Sequence, residues 1–254
     1  MFNLWKAAPL FSLLLLGLGN LFAEPLSFES SAGQKTNLVE IYSSEGCSSC
    51  PPAHRWISGF KNDPGLWGNF VPAVFHVDYW DQLGWKDKFD SPEYTERQRK
   101  YFIWWGESTL FTPCVILNGR LLEHWDSVKN FPAVSESPGV LKLDVLGSGW
   151  YQLSFNPAEN SKKKMVGRLI LLGIGIESRI ERGENTGKVL THDFTVLDYK
   201  REVLNDEDFS AEFELKIPEN LLKKIQPEKL AVAGWVTEGI DPTPVQAVGG
   251  YLDE

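Results

Sequence analysis

The chain has 254 residues, of which 43% are hydrophobic and 13% aromatic, and its formal net charge is -9. This length can build one large hydrophobic core or two modest ones. The acidic balance disfavours a general nucleic-acid-binding surface, so we expect no nucleic acid among the partners.

The N-terminus has the pattern of an export signal. Lys6 precedes an apolar stretch, residues 9–19, that is too short to span a bilayer. We predict a signal peptide over residues 1–23 and an N-terminal linker over residues 24–35, with an uncleaved anchor as the alternative. We therefore expect an exported protein, periplasmic or secreted. No stable membrane insertion is expected after cleavage, because no second apolar run approaches ~20 residues.

Residues 36–130 alternate between strand and helix patterns. Residues 37–43 are an apolar, β-branched run that is typical of a buried strand. A first helix is predicted after the second cysteine, because Pro51 and Pro52 suit the first helical turn, where their missing N–H groups would be unpaired anyway.

The second part of this segment continues the alternation. Residues 70–80 predict another strand, and residues 91–106 predict a second helix with Ser91 as its N-terminal cap. Residues 112–124 contain an Asn-Gly pair between two apolar runs, which predicts a hairpin. The resulting order, β-α-β-α-β-β, indicates an α/β sheet covered by helices.

The period of the pattern changes after a Pro-containing linker, residues 131–139. Residues 140–254 consist of short alternating runs separated by turn residues, at spacings typical of an all-β sandwich. One short helix is predicted over residues 218–226.

Cys47 and Cys50 lie three positions apart at the predicted start of the first helix. Such a pair can close a small disulfide ring, and the helix dipole favours a thiolate on the first sulfur, which is normally the exposed one. We assign Cys47 as the nucleophile of disulfide exchange and Cys50 as the resolving thiol. A static structural disulfide and a metal site are the alternatives.

Four phrases carry a family resemblance: EIYSSEGCSSCPPA, FHVDYWDQLGWKDKFDSPEYTERQRKY, TPCVILNGR and, in the β-rich half, GENTGKVLTHDFTV. Together they resemble the exported bacterial family called domain of unknown function 1223. The element order with its CxxC motif is also similar to the thioredoxin superfamily. The resemblance implies a thioredoxin-like domain over residues 36–130 and a β-sandwich-like domain over residues 140–254. It also implies a cis peptide bond between Thr112 and Pro113, facing the CxxC motif.

The expected function is thiol–disulfide exchange on protein or small-molecule disulfides, with an unidentified redox partner and no organic cofactor. The alternative is a metal-handling or ligand-binding envelope protein without turnover. Its zinc or copper ligands would be Cys47, Cys50, Cys114 and either His54 or His76. Under the first hypothesis Cys114 is either a third thiol near the motif or a small buried hydrophobe.

Further candidates surround the motif. A substrate-binding surface is predicted from five residues: Thr112, Pro113, Tyr79, Trp80 and Trp85. Auxiliary roles are predicted for His54, His76 and Asp78, the last two sharing one face of a strand as a His–Asp pair. One polar segment in the β-rich half is either a simple turn or an interface with the first domain: it contains Arg182, Glu184, Asn185, Lys188 and His192.

Overall fold

The computed structural model describes residues 25–159 and 163–252, so the predicted signal peptide lies outside the described residues. Within these ranges the chain forms fourteen strands and three α-helices. The strands are β1 Ser27–Glu29, β2 Asn37–Ser43, β3 Phe70–His76, β4 Cys114–Leu117, β5 Arg120–Leu121, β6 Gly139–Gly147, β7 Trp150–Pro157, β8 Met165–Ile174, β9 Ile176–Arg179, β10 Val189–His192, β11 Thr195–Val203, β12 Ser210–Glu214, β13 Lys229–Glu238 and β14 Pro244–Tyr251. The helices are α1 Pro51–Ser58, α2 Pro92–Trp105 and α3 Glu219–Ile225.

Strands β2 and β3 lie side by side and parallel, and every residue of both strands is buried. Strand β4 pairs with β2 in the antiparallel direction and continues into β5 through the predicted Asn-Gly turn. Asn118 and Gly119 both have positive φ angles, 49° and 80°, as a two-residue hairpin of this kind requires. The hairpin prediction is therefore confirmed.

The first two helices begin where local sequence signals predict. Helix α1 has proline in its first turn. Helix α2 begins after Ser91, whose hydroxyl accepts a hydrogen bond of 3.2 Å from the backbone N–H of Glu93. Gly106 ends α2 in the left-handed conformation, with φ of 78°. Helix α1 lies in the connection from β2 to β3, and helix α2 lies in the connection from β3 to β4.

The β-rich half supplies strands to three sheets. A four-stranded sheet has the order β1-β6-β7-β12, and β9 and β10 form a separate two-stranded ribbon. Strands β8, β11, β13 and β14 belong to a larger sheet. Helix α3 lies within the predicted helical segment. None of the helices in the described ranges is long and apolar enough to cross a membrane.

The larger sheet has eight strands in the order β14-β13-β8-β11-β3-β2-β4-β5. Its two sets of strands meet where β11 runs parallel to β3, with Thr195 opposite Val74. The backbone N–H of Val74 donates a 2.8 Å hydrogen bond to the carbonyl of Phe194. One sheet thus contains strands from both predicted segments, and this junction brings the end of β10 close to the end of β3.

Two main hydrophobic clusters lie on opposite faces of the shared sheet. Strand β8 shows the alternation, because Leu169 and Leu171 face the core beneath the four-stranded sheet. Ile170 and Leu172 belong to the other cluster, which also contains the apolar residues of β2, β3, α1 and α2. Polar side chains collect at the carboxyl ends of β2 and β3.

Candidate functional site

The CxxC loop, residues 44–50, connects the carboxyl end of β2 to the start of α1. Cys47 and Cys50 are joined by a disulfide, with their Cα atoms 5.5 Å apart. Cys50 is the N-terminal cap residue of α1, so the ring lies at the positive end of the helix. Because the sulfurs are bonded to each other, neither is a metal ligand in this form.

The disulfide is buried while its spacer is exposed. Cys47 and Cys50 have 0% and 1% of their surfaces accessible, whereas Ser48 and Ser49 are exposed. The expectation of an exposed first cysteine is therefore wrong. The hydroxyl of the exposed Ser49 lies 3.3 Å from the Cys47 sulfur.

The peptide bond between Thr112 and Pro113 is cis, which confirms the prediction. It lies beside the CxxC loop, because the Ser49 hydroxyl donates a 3.4 Å hydrogen bond to the Thr112 carbonyl. The indole N–H of Trp80 donates to the Thr112 hydroxyl at 2.8 Å. Cys47, Ser49, Thr112 and Trp80 thus form a connected group around the disulfide.

The other two predicted aromatic residues are tied to different neighbours. Trp85 donates its indole N–H to a carboxylate oxygen of Glu45 at 2.7 Å, which places it against the CxxC loop. Tyr79 donates to the Gln98 side chain at 3.3 Å. Each aromatic side chain in the predicted substrate-binding set therefore holds its polar atom in a specific hydrogen bond.

Cys114 is a buried free thiol on β4, opposite Tyr42 of β2. Burial raises the pKa of Cys114 to about 12 and outweighs a hydrogen bond with Gln98 that acts in the opposite direction. The thiol is therefore protonated at neutral pH. These properties match the buried-hydrophobe interpretation more closely than that of a third reactive thiol.

The β9–β10 loop, residues 180–188, covers the CxxC loop from the β-rich half. Asn185 is buried and its side-chain amide donates to the carbonyls of Glu45 and Cys47, both at 2.9 Å. The Glu184 carboxylate accepts a 3.1 Å hydrogen bond from the backbone N–H of Ser48. Of the two interpretations of this segment, contact with the first half of the chain is the one observed.

The predicted His–Asp pair has a different carboxylate. His76 Nδ1 lies 2.6 Å from an Asp87 oxygen, and both side chains are fully buried. Asp78 instead accepts a 2.6 Å hydrogen bond from the Thr95 hydroxyl, so the predicted partner of His76 is wrong. The same Asp87 oxygen accepts from the backbone N–H of Glu45 at 2.7 Å, which joins the pair to the CxxC loop.

Glu45 is a buried carboxylate with two side-chain partners. It accepts from Trp85 and lies 3.1 Å from His192 Nε2. Burial opposes ionisation of Glu45, but the hydrogen bond and charge of His192 outweigh it and lower the pKa of Glu45 to about 2. The Glu45 charge is thus held by these partners.

Three buried histidines converge behind the CxxC loop, and we call His54, His76 and His192 the histidine triad. One ring nitrogen from each lies within 4.8 Å of the other two, and the ring centroids are 5.1–5.5 Å apart. Burial, reinforced by the charges of the other two rings, lowers the pKa of His54 well below its usual value. This is the group that the chain offers for a metal ion among its described residues, and no cysteine belongs to it.

Sequence reasoning missed this convergence. His54 and His76 were recognised as auxiliary candidates, and His192 only as part of a polar turn. Glu45 and His192 are separated by 147 positions, so no short-range spacing links them. The sequence offers only a weak local signal: His76 and His192 lie at the ends of strands, and His54 lies in the first turn of α1.

The family of the chain is shown by a sequence match. The DUF1223 family model, described as a protein of unknown function, matches residues 38–236, and the chain therefore belongs to this family. No curated protein matches the chain.

Two solved structures are similar to the chain. A protein from Agrobacterium tumefaciens is 23% identical with a TM-score of 0.55, and the match covers 87% of this chain and 96% of that one. HBP35 of Porphyromonas gingivalis is 14% identical with a TM-score of 0.58, and the match covers 87% of this chain and 76% of that one. At these identities the likeness shows a shared fold.

Proposed function

We propose that the protein is an exported thiol–disulfide oxidoreductase whose redox centre is the Cys47–Cys50 pair. In this proposal residues 36–130 form a thioredoxin-like unit, and residues 140–254 form a β-sandwich-like unit that covers the redox centre. The observation that carries the proposal is the disulfide at the start of α1 beside Thr112, with the Ser49 hydroxyl in contact with both the Cys47 sulfur and the Thr112 carbonyl.

The proposed reaction balances within the two thiols. In the reduced form, the Cys47 thiolate attacks one sulfur of a substrate disulfide, forming a Cys47–substrate bond and releasing the first substrate thiolate. The Cys50 thiolate then attacks the Cys47 sulfur, releasing the second substrate thiolate and forming the Cys47–Cys50 disulfide. Two electrons pass to the substrate, and the reverse sequence oxidises a dithiol.

Two features beside Cys47 favour a thiolate and act against its burial, which favours the thiol. The sulfur lies near the N-terminal end of α1, where unpaired N–H groups stabilise negative charge. In the reduced form the Ser49 hydroxyl can donate its one proton to the sulfur in place of the Thr112 carbonyl. Glu45, the nearest acidic residue in the sequence, is held by Trp85 and His192. The negative charge of Glu45 is therefore partly compensated, and its repulsion of a Cys47 thiolate is reduced.

Substrate access requires a movement of the β9–β10 loop. Cys47 is fully covered, and Asn185 holds the carbonyl groups on its side of the loop. Opening this contact would expose the sulfur next to Thr112 and Trp80, the surface on which we place the substrate. An exported location suits this chemistry, because disulfides persist outside the reducing cytosol.

A redox titration tests the proposal. The full mature chain is equilibrated with glutathione mixtures, and the oxidised fraction of the Cys47–Cys50 pair is measured by thiol labelling. We expect a reduction potential between about −270 and −120 mV, the range of known thiol–disulfide enzymes. We also expect exchange with a model protein disulfide, abolished by Cys47→Ser and retained by Cys114→Ser.

A static structural disulfide would give a different result. Its potential would lie below about −300 mV, and the wild-type chain would not exchange with the model substrate. Equal exchange by the wild-type and Cys47→Ser chains would also contradict the assignment of the nucleophile.

A further inference from the structure

The histidine triad has no role in the proposed thiol chemistry. His54, His76 and His192 have 7%, 0% and 1% of their surfaces accessible. The triad is held by three separate elements, since His54 lies in α1, His76 ends β3 and His192 ends β10. Phe89 packs against the rings of His76 and His192, with centroids 5.1 and 5.2 Å away. The three imidazoles thus share a pocket shielded from solvent.

Each ring of the triad has one nitrogen bound to a group outside the triad. His76 Nδ1 pairs with Asp87 at 2.6 Å, and His192 Nε2 pairs with Glu45 at 3.1 Å. His54 Nε2 lies 2.7 Å from the hydroxyl of Ser43. A histidine that binds a metal commonly has such a partner on its other nitrogen, which fixes the orientation of the ring.

The second nitrogen of each ring has no hydrogen-bond partner in the described part of the chain. These atoms are His54 Nδ1, His76 Nε2 and His192 Nδ1. In the neutral imidazole form that a metal ligand requires, the ring protons of His76 and His192 lie on the outer nitrogens, because the carboxylates of Asp87 and Glu45 accept them there. The inner nitrogens of His76 and His192 then present lone pairs, and that of His54 does so when its outer N–H donates to Ser43.

A buried group of lone pairs without a donor is unfavourable, because each has lost its hydrogen bonds to water. A cation at their centre would satisfy all three together. Magnesium and calcium prefer oxygen ligands, whereas imidazole nitrogen suits zinc and the other late first-row metals. Three histidines with a fourth position left open are also an established ligand set for zinc.

We propose that His54 Nδ1, His76 Nε2 and His192 Nδ1 bind one imidazole-preferring divalent metal ion of the zinc class. Zn–N bonds of about 2.0–2.1 Å place tetrahedral ligand nitrogens about 3.4 Å apart. One nitrogen from each ring lies within 4.8 Å of the other two, so closure around an ion requires ring movements on the order of 1 Å. The site uses no sulfur and is separate from the proposed redox function.

The triad is also connected to the CxxC loop through its outer partners. Glu45 belongs to that loop, and Asp87 accepts a hydrogen bond from the backbone of Glu45. An ion bound to the triad would therefore stabilise the β2–α1 connection through two carboxylates. This is a positioning effect, because the metal ligands and the cysteines are different residues.

Zinc counting tests the site. The full mature chain is stripped with a chelator, refolded with zinc chloride, freed of unbound metal and analysed by atomic spectrometry. We expect about one zinc per chain. Bound zinc should be lost in His76→Ala and in His192→Ala, but retained in His124→Ala, because His124 is the exposed fourth histidine and controls for surface chelation.

A cysteine variant separates this site from a thiolate site. The Cys47→Ser/Cys50→Ser chain should retain its zinc, whereas a site built from those sulfurs would lose it. The proposal is overturned if wild-type zinc is no higher than in His76→Ala, or if the cysteine variant loses zinc while the histidine variants keep it.

Cobalt spectroscopy provides a readout that does not depend on the folding of the histidine variants. Wild-type protein loaded with Co²⁺ should show visible d–d bands of tetrahedral intensity and no near-ultraviolet thiolate-to-cobalt band. A wild-type spectrum without the tetrahedral bands, or with a thiolate-to-cobalt band, would contradict the three-histidine assignment.

Discussion

Glu45 is the residue that links the two parts of the site. Its side chain contacts Trp85 and His192, its backbone N–H donates to Asp87, and its carbonyl accepts from Asn185. A single residue of the CxxC loop thus connects with the first half of the chain and with the β-rich half. Its ionisation is therefore a sensitive probe of how the loop is held.

The pKa of Glu45 predicts a specific pH dependence of stability. The pKa is about 2 in the folded protein and 4.5 in its ordinary state, so between these values the unfolded chain binds the proton more readily. The ionised carboxylate contributes stability above about pH 4.5, and this contribution is lost as the pH falls towards 2. A shift of this size corresponds to on the order of 3 kcal/mol.

Glu45→Gln isolates this contribution. We expect the variant to be less stable than the wild type at pH 7 by about 1–3 kcal/mol, with the difference shrinking towards zero as the pH falls from 4.5 to 2. Urea unfolding in the presence of a metal chelator measures both chains at each pH. Glu212→Gln, at an exposed position of β12, is the control and should show no such trend. A stability difference that is constant with pH would refute the role of Glu45 ionisation.

Local residue signals were the predictable part of the site. Ser91, the two prolines after Cys50 and the Asn-Gly turn act through their nearest neighbours, and the structure places each as predicted. The burial of Cys47 was not predictable in this way. It accompanies a contact that no local pattern specifies, because Asn185 reaches the Cys47 carbonyl across 138 positions of sequence.

At the level of elements, the β9–β10 loop packs on the CxxC loop, and we expect this contact to limit access to the disulfide. Its Asn185 amide is held in place by Lys188, whose ammonium donates to the amide oxygen at 2.8 Å. The two N–H groups of that amide satisfy two carbonyl groups of the CxxC loop. Removing the amide leaves those carbonyls without this donor and weakens the contact between the two loops.

Asn185→Ala should therefore make the disulfide easier to reduce. Loss of a buried hydrogen-bond partner costs about 1–3 kcal/mol, and about 1.4 kcal/mol raises the population of an open state about tenfold. We expect reduction of the Cys47–Cys50 bond by dithiothreitol to accelerate by about tenfold or more. The rate is measured by quenching with a thiol-labelling reagent and counting modified cysteines by mass spectrometry.

Thr186→Ala is the matched control for the loop. Thr186 is the exposed neighbour of Asn185, and its hydroxyl bonds to Gly183 within the same loop. This variant should be reduced at the wild-type rate. Equal reduction rates for Asn185→Ala and the wild type would show that the β9–β10 loop does not limit access to the disulfide.

Strand pairing shows where element prediction from sequence ends. The period-two runs of the β-rich half predict strands, and β6 and β7 form an antiparallel pair around a Gly-Ser-Gly turn. The position of β11 beside β3 depends on how distant segments of the chain assemble into one twisted sheet. No local pattern specifies that neighbour, so the convergence of His192 with His76 could not be predicted either.

At the scale of the whole molecule, a buried ion pair of the first half is covered by a side chain of the other half. Arg97 of α2 donates to Glu40 of β2 at 2.7 Å, and both side chains are at most 5% exposed. The Arg97 guanidinium also lies 4.6 Å from the ring of Trp235, on β13. The Trp235 side chain shields the pair from water. Without it, the cost of burying the two charges would no longer be offset by this packing contact.

This arrangement predicts that the first half does not fold by itself. In a fragment of residues 25–130, β3 would lose its neighbour β11, and Arg97 would lose Trp235. An unpaired inner strand exposes backbone groups and apolar surface that the full chain covers. We expect the full mature chain to unfold in urea in one transition that coincides by far-ultraviolet circular dichroism and tryptophan fluorescence. The fragment should show no cooperative transition, and a sharp transition in the fragment would instead identify it as an independent domain.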